Sequence, residues 1–477
     1  MIFNLQKKGA KPIYEYLYES IRDEIISGKL KSGDKLPSRR QMALDNGIAE
    51  ITVANAYAQL VTEGYIESRE KSGYFVSRDI DLIPETGIKT RREETCPVKR
   101  FLCKKKEQAA RNKIINLSNS GLPEETFPFD TWSKLARKSL TEDRAECIKA
   151  PEVRGLQKLR ESIAGYLERS RGFAPDPEHI IVGPGTEYLC NVLLSLLDKD
   201  AAVSLEDPGY RNIGRLFEGS GHKCYHLSVD ENGLITSELK GKGIKLLHVS
   251  PSHHFPLGCV MSAPRRASLV SWAEEESAWI IEDDYDSEFR FEGRPVPPVV
   301  AYEQERVIYM NTFSRTLSPS IRIAYMVLPS ELYEVFMEKF MYHSGSVSTL
   351  EQLTLASFIS AGYYERHLNR VRNYYKKRKK AIFDTATDKD IAEFFDIEGD
   401  GSGMTFILKC NTDTDDKYQE VLARHGVLIN PLKEYYYGSS DYSDNRYVVN
   451  FGYVNEEQFK NAAQTMCKAL RVKKCRK

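Results

Sequence analysis

The 477-residue chain has no excess charge of either sign. Lys+Arg and Asp+Glu both total 68, so the formal net charge is zero and any nucleic-acid surface has to be local. Patterned cysteines are also missing. The nine thiols (96, 103, 147, 190, 224, 259, 410, 467 and 475) include no Cys-x-x-Cys pair. An odd, scattered set reads as reduced cysteines in a cytoplasmic protein and excludes a zinc ribbon or a disulfide framework. Met1 to Lys8 has no apolar run of the signal-peptide kind, and no stretch approaches the ~20 apolar residues of a membrane-spanning helix. Internal repeats, low-complexity tracts and coiled-coil heptads are absent as well. What is present is a 41% hydrophobic composition, enough for packed cores, on a chain too long for one of them. Two or more domains are expected.

Residues 1–77 read as a small domain. Ile13, Leu17, Ile21, Ile25 and Ile26 recur at helical spacing and stop at Gly28. Ser38 is a candidate N-cap for a short helix through Met42, Ala43 and Leu44 that ends at Asn46-Gly47. A third helix covers about 50 to 63 and stops at Gly64. Tyr65–Arg69 and Gly73–Ser77 then alternate like two short strands. From 78 to 113 periodicity fades and charge rises, through Arg91-Arg92-Glu93-Glu94 and Lys104-Lys105-Lys106. This linker reads as a solvated tether or as an extra phosphate-contacting segment. From 114 to 477 short β-branched runs alternate with helical stretches, which predicts an α/β domain with a mainly parallel sheet covered on both faces. A smaller α+β portion is expected from near 340.

The order of the first domain, and Gly33-Asp34-Lys35-Leu36-Pro37-Ser38-Arg39-Arg40 with Glu63-Gly64-Tyr65-Ile66-Glu67-Ser68-Arg69, resemble the winged helix-turn-helix of GntR-type transcription regulators. The resemblance implies DNA as partner, with Arg39, Arg40, Thr52, Asn55, Arg69, Lys71 and Gly73 as candidate contacts and Lys71 and Gly73 at the wing tip. The bland alternative is a set of solvated surface charges. The chain departs from the family at Ala49-Glu50, where members usually carry Ser or Thr followed by Arg. Ala49 forgoes a helix cap worth ~1 kcal/mol, and Glu50 meets phosphates with like charge.

The larger portion resembles fold-type I aminotransferases, as carried by the MocR group of those regulators. Gly183-Pro184-Gly185-Thr186-Glu187 follows a strand and opens a helix, a suitable cradle for phosphate. The resemblance implies Gly185 and Thr186 at that phosphate and Tyr210, in Glu206-Asp207-Pro208-Gly209-Tyr210, stacked on a pyridine ring. It also implies Asp283 at the pyridinium nitrogen, Tyr285 at the ring oxygen, and Arg322 with Thr312 and Ser314 at the phosphate. In Asn311-Thr312-Phe313-Ser314-Arg315, Arg315 stands where the family has its Schiff-base lysine. A guanidinium stays protonated and forms no imine. In Arg446-Tyr447-Val448-Val449-Asn450-Phe451, Val448 falls on the arginine that grips an amino acid's carboxylate, with Arg446 two residues away on the same strand face. His253-His254 invites a metal reading, but adjacent side chains diverge and no third ligand is evident.

The resemblance therefore implies a homodimeric transcription regulator, with no metal and no catalytic residue, whose aminotransferase-like domain senses a ligand. That ligand is pyridoxal phosphate held noncovalently or another small anion. The alternatives are a residual aminotransferase using another lysine, such as Lys433, and a diverged scaffold that binds partners.

Overall fold

A computed structural model describes residues 1–3, 11–70, 72–77, 114–118, 121–291, 296–399, 403–412, 414, 416–438 and 445–474. The wing-tip candidate Lys71 and the expected linker 78–113 lie outside them. Contacts divide the chain into two units, Met1–Gln108 and Ala109–Lys477.

The first unit contains α1 (Ile13–Ile26), α2 (Arg39–Asn46), α3 (Glu50–Thr62), β1 (Ile66–Arg69) and β2 (Gly73–Val76). Leu17, Ile21 and Ile25 on α1 meet Met42 on α2 and Val53, Tyr57 and Leu60 on α3 in one core. Ser38 caps α2 as expected, its Oγ accepting from the Gln41 N–H at 3.2 Å. Gly47 ends that helix in the left-handed region at φ 65°, where a residue without Cβ costs least. Ala49, by contrast, precedes α3 with no side-chain cap. The strands pair antiparallel from Ile66↔Val76 to Arg69↔Gly73, which completes three helices and a hairpin.

The second unit begins with β3 (Ile115–Asn116). Its large sheet is built from β4 (Ile180–Gly183), β5 (Ala202–Asp207), β6 (Lys223–Asp230), β7 (Gly233–Leu234), β8 (Ile244–Val249), β9 (Trp279–Asp283), β10 (Val307–Thr312) and β11 (Ala324–Val327). Their order is β4-β11-β10-β9-β8-β5-β6-β7. The central strands β6, β5, β8, β9 and β10 run parallel, while β11 is antiparallel to both neighbours. Alternation along the strands explains why both faces are covered. Val182, Leu247, Ile280 and Tyr309 point into one core, and Ile181, Leu246, Ile281 and Met310 into the other.

A second sheet has the order β12-β13-β16-β15, from β12 (Phe395–Glu398), β13 (Thr405–Cys410), β15 (Asn430–Pro431) and β16 (Arg446–Asn450), while β14 (Val427–Leu428) pairs with β3. The expected boundary near 340 moves. Helix Thr349–Ser360 packs within the large-sheet core through Leu353, Leu355 and Phe358. Helix Tyr363–Ala386 carries Tyr364 and Leu368 into that core, and Val371, Tyr375 and Ile382 into the core of the second sheet. One continuous helix joins the two portions because its apolar face is long enough to serve both cores.

Candidate functional site

The large sheet opens at the carboxyl ends of its strands, where α/β folds generally bind ligands, on a cavity of about 440 Å³. Glu206 from β5, His248 from β8, Asp283 from β9 and Thr312 from β10 reach one side of it, and Thr405, Asn430, Val448 and Asn450 from the second sheet reach the other. All nine cofactor residues expected from sequence line this space: Gly185, Thr186, Tyr210, Asp283, Tyr285, Thr312, Ser314, Arg315 and Arg322.

Several of them carry unused hydrogen-bonding capacity. Asp283 is 9% exposed; its Oδ2 lies 3.4 Å from His248 Nε2, and its Oδ1 has no hydrogen-bond partner. Ser314 Oγ and Arg315 Nε are likewise buried and unpartnered. The Arg315 guanidinium carbon lies 6.0 Å from the centre of the Tyr285 ring, within cation–π range. The Tyr285 hydroxyl is 3.2 Å from His253 Nδ1. Thr312 differs, because its Oγ1 already accepts from the Ser314 N–H at 3.1 Å.

Gly185 precedes helix Thr186–Leu196 at φ 126° and ψ 163°, a conformation glycine alone adopts readily. A Cβ there would stand 2.5 Å from Arg322 Nη2, so the guanidinium packs directly on the glycine backbone. Arg322 is itself at φ 54°, a strained region for a side chain with Cβ, and its Nη2 lies 3.4 Å from Glu187 Oε2. Tyr210 is at the rim, 45% exposed and edge-on to Phe255 at 5.9 Å.

Below the cavity, burial sets the charges. Glu206 accepts from the Ser250 N–H at 2.8 Å, yet burial, with the Asp283 charge adding, pushes its carboxyl up to about 8. Burial pushes His254 down to about 3. Their 3.8 Å approach is therefore a contact of two uncharged groups at neutral pH. Arg171 and Asp284 pair at 2.7 Å, nearly sealed from solvent, and the Tyr309 hydroxyl donates to the same carboxylate at 2.6 Å. Among the described residues, no group of three or more His, Cys, Asp or Glu side chains is placed to hold a metal ion.

Sequence reading missed part of the wall. Tyr437 donates its hydroxyl to the Tyr210 carbonyl at 3.0 Å and its N–H to Asp207 Oδ1 at 3.2 Å, and its ring covers Gly214. The Tyr435–Tyr437 run was the visible signal. Its destination, more than 220 residues away in sequence, was not. Lys433 is not among the residues lining the cavity, and Arg446 lies 3.6 Å from Glu398, leaving Val448 at the wall.

In the first unit, Arg39, Arg40 and Asn55 are exposed and Thr52 is half-buried. Arg69 is paired with Glu67 and stacked over Phe75 at 4.5 Å. Gly73 turns the hairpin at φ 106°.

Residues 112–466 match the aminotransferase class I and II family, and residues 13–76 match the gntR family of bacterial regulatory proteins. The HTH-type transcriptional regulator YdeL of Bacillus subtilis (strain 168) is 37% identical over 425 residues, covering 88% of this chain and 89% of that one. The chain belongs to the GntR-type transcription regulators with an aminotransferase-like domain. In keeping with that family it is a DNA-binding regulator. The probable rhizopine catabolism regulatory protein MocR of Rhizobium meliloti is 33% identical, covering 91% of this chain and 89% of its own length. For the HTH-type pyridoxine biosynthesis transcriptional regulator PdxR of Corynebacterium glutamicum the identity is 32%, with 92% of each chain covered. Solved aminotransferases share the fold. The multiple substrate aminotransferase of Thermococcus profundus superposes with a TM-score of 0.69 at 22% identity, covering 81% of this regulator and 97% of that chain. No described helix of the regulator is long and apolar enough to cross a membrane.

Proposed function

We propose that the aminotransferase-like unit of this regulator is a ligand sensor and dimerisation module that holds a phosphorylated pyridine ring, of the pyridoxal phosphate kind, without a covalent bond. The observation that carries the reading is the set of buried, unpartnered polar atoms on the cavity wall: Asp283 Oδ1, Ser314 Oγ and Arg315 Nε. Leaving such groups unpaired is costly, so a ligand with a matching pattern stabilises them. The donor set fits a ring phosphate. Arg322 and the Gly185–Thr186 helix start offer positive charge and N–H groups, Asp283 offers a carboxylate, and Tyr210 offers an aromatic face. When bound to a lysine amine, pyridoxal phosphate supplies electron withdrawal for amino-acid chemistry. Arg315 occupies the position of that lysine, keeps its proton and acts as an anion partner instead.

Val448, at the position of the carboxylate-binding arginine, weakens the grip on an amino acid, so the unit has no transaminase activity. Residues 1–77 form the DNA-binding domain and 114–477 the sensor, with 78–113 as the tether. Arg39, Arg40, Thr52, Asn55, Arg69, Lys71 and Gly73 form the DNA face. The dimer and its ligand set the spacing of two winged helices in the cytoplasm.

The test is borohydride reduction with pyridoxal phosphate, followed by mass analysis and a thermal shift. Wild type is expected to show a raised melting temperature and no covalent adduct, whereas Arg315→Lys acquires the pyridoxyl mass. A wild-type adduct, or no thermal shift, overturns the proposal.

A further inference from the structure

Helix α3 has no lysine or arginine along its length, Glu50-Ile51-Thr52-Val53-Ala54-Asn55-Ala56-Tyr57-Ala58-Gln59-Leu60-Val61-Thr62. It is the second helix of the helix-turn-helix, the one such motifs place in the major groove. Val53, Ala56, Tyr57 and Leu60 are buried in the core of the unit, so the opposite face is the one presented outward. Ile51, Asn55 and Ala58 follow one another on that face at helical spacing, and all three are exposed. Ile51 is 68% exposed, a large apolar side chain turned to solvent at the N-terminal turn of a DNA-reading helix. The arginines proposed for the DNA face stand elsewhere, on α2 (Arg39, Arg40) and β1 (Arg69).

We infer that this regulator reads an A·T-containing half-site through Ile51 on a thymine methyl and Asn55 on an adenine edge, with no arginine–guanine contact from α3. The chemistry follows from what the groove offers. The commonest specific contact, a bidentate arginine or lysine on guanine O6 and N7, has no donor on this helix. The thymine C5-methyl is the apolar group of the major groove, and an exposed isoleucine is its complement. An amide is the side chain that both accepts from adenine N6 and donates to N7. Glu50, one residue before Ile51 and exposed, can accept only from a base amino group, cytosine N4 or adenine N6, and repels phosphate, which adds discrimination without affinity. Arg39 and Arg40 then supply the sequence-independent part of the binding.

The experiment uses the full chain and a random duplex pool enriched by band shift. In the selected duplex each thymine is replaced in turn by deoxyuridine, which lacks only the methyl, and each adenine by 7-deazaadenine, which lacks N7. At one thymine the affinity is expected to fall about fourfold, the value of one buried methyl group. Ile51→Ala is expected to bind the thymine and deoxyuridine duplexes equally. Asn55→Ala is expected to lose about five- to 150-fold at one adenine and to become indifferent to its N7. Both side chains are exposed, so unchanged melting temperatures accompany these losses. The inference is overturned by a guanine whose 7-deaza analogue costs more than any thymine or adenine change. It is also overturned by indifference to deoxyuridine everywhere, by equal discrimination in Ile51→Ala and wild type, or by a pool that yields no base preference.

Discussion

At the carboxyl end of the large sheet, charged groups are buried and individually placed: Arg171 faces Asp284 at 2.7 Å, and Asp283 and Arg315 point unpartnered atoms into the cavity. In the winged unit the arrangement is reversed. Arg39 and Arg40 stand in solvent, and the outward face of α3 carries an isoleucine and an amide. The difference follows from the partner each region meets. A small ligand in a low-dielectric cavity is recognised by few, fixed groups whose desolvation has already been met by the fold. A nucleic-acid backbone is met by mobile, hydrated cations, and its sequence is read by short side chains that fit a groove.

Breaking the buried pair should have the largest effect. Arg171→Met leaves the Asp284 carboxyl sealed from water without its cation, with an expected loss of about 3–5 kcal/mol in denaturant unfolding. Arg39→Ala, its counterpart in the winged unit, should change stability by less than about 0.5 kcal/mol and instead lower the salt dependence of DNA binding by about one phosphate contact. Equal stability losses would erase the contrast.

Glu206 sharpens it through pH. Its carboxyl is pushed up from 4.5 to about 8. Between those values the folded state keeps a proton that the unfolded state has released, so stability falls as pH rises through that window. The slope from this one group is at most about 1.4 kcal/mol per pH unit. Glu282 and Glu288, each raised to about 7 by burial, act in the same sense. Glu206→Gln keeps an acceptor for the Ser250 N–H and removes the proton, so the decline of melting temperature between pH 5 and 8 should flatten. An unchanged profile would show that Glu206 is ionised at neutral pH.

The smallest expected effect is at Ala49. Ala49→Ser supplies the missing cap of α3 and should stabilise the protein by ~1 kcal/mol, read from the winged unit's own transition. It should leave deoxyuridine discrimination unchanged, because the cap bonds the helix backbone and leaves Ile51 where it is.

Much of the fold was legible because local signals and tertiary demands agree. Ser38 caps α2 and Gly47 ends it; the runs at 180, 202, 246 and 279 are strands whose alternate residues feed two cores. The boundary near 340 was misplaced because helix Tyr363–Ala386 has one uninterrupted apolar stripe, and periodicity along a helix does not say which core each turn meets. In the cavity, the resemblance to fold-type I aminotransferases pointed to Gly185, Asp283, Arg315 and Arg322, because the short segments that carry them are distinctive. Thr405 and Asn430 carry no such local mark, and only the second sheet brings them to the wall, while the Tyr435–Tyr437 run is visible in sequence but its destination is not.

The sequence by itself determined the two architectures, the cation-free recognition helix and the arginine at 315, since each is a property of neighbouring residues and their period. The tertiary structure alone decided which polar atoms are left without partners and which carboxyl holds its proton. Desolvation depends on everything packed around a group, and the groups that meet Glu206 (Ser250, His254, Asp283) and Asp283 (His248) come from other segments of the chain.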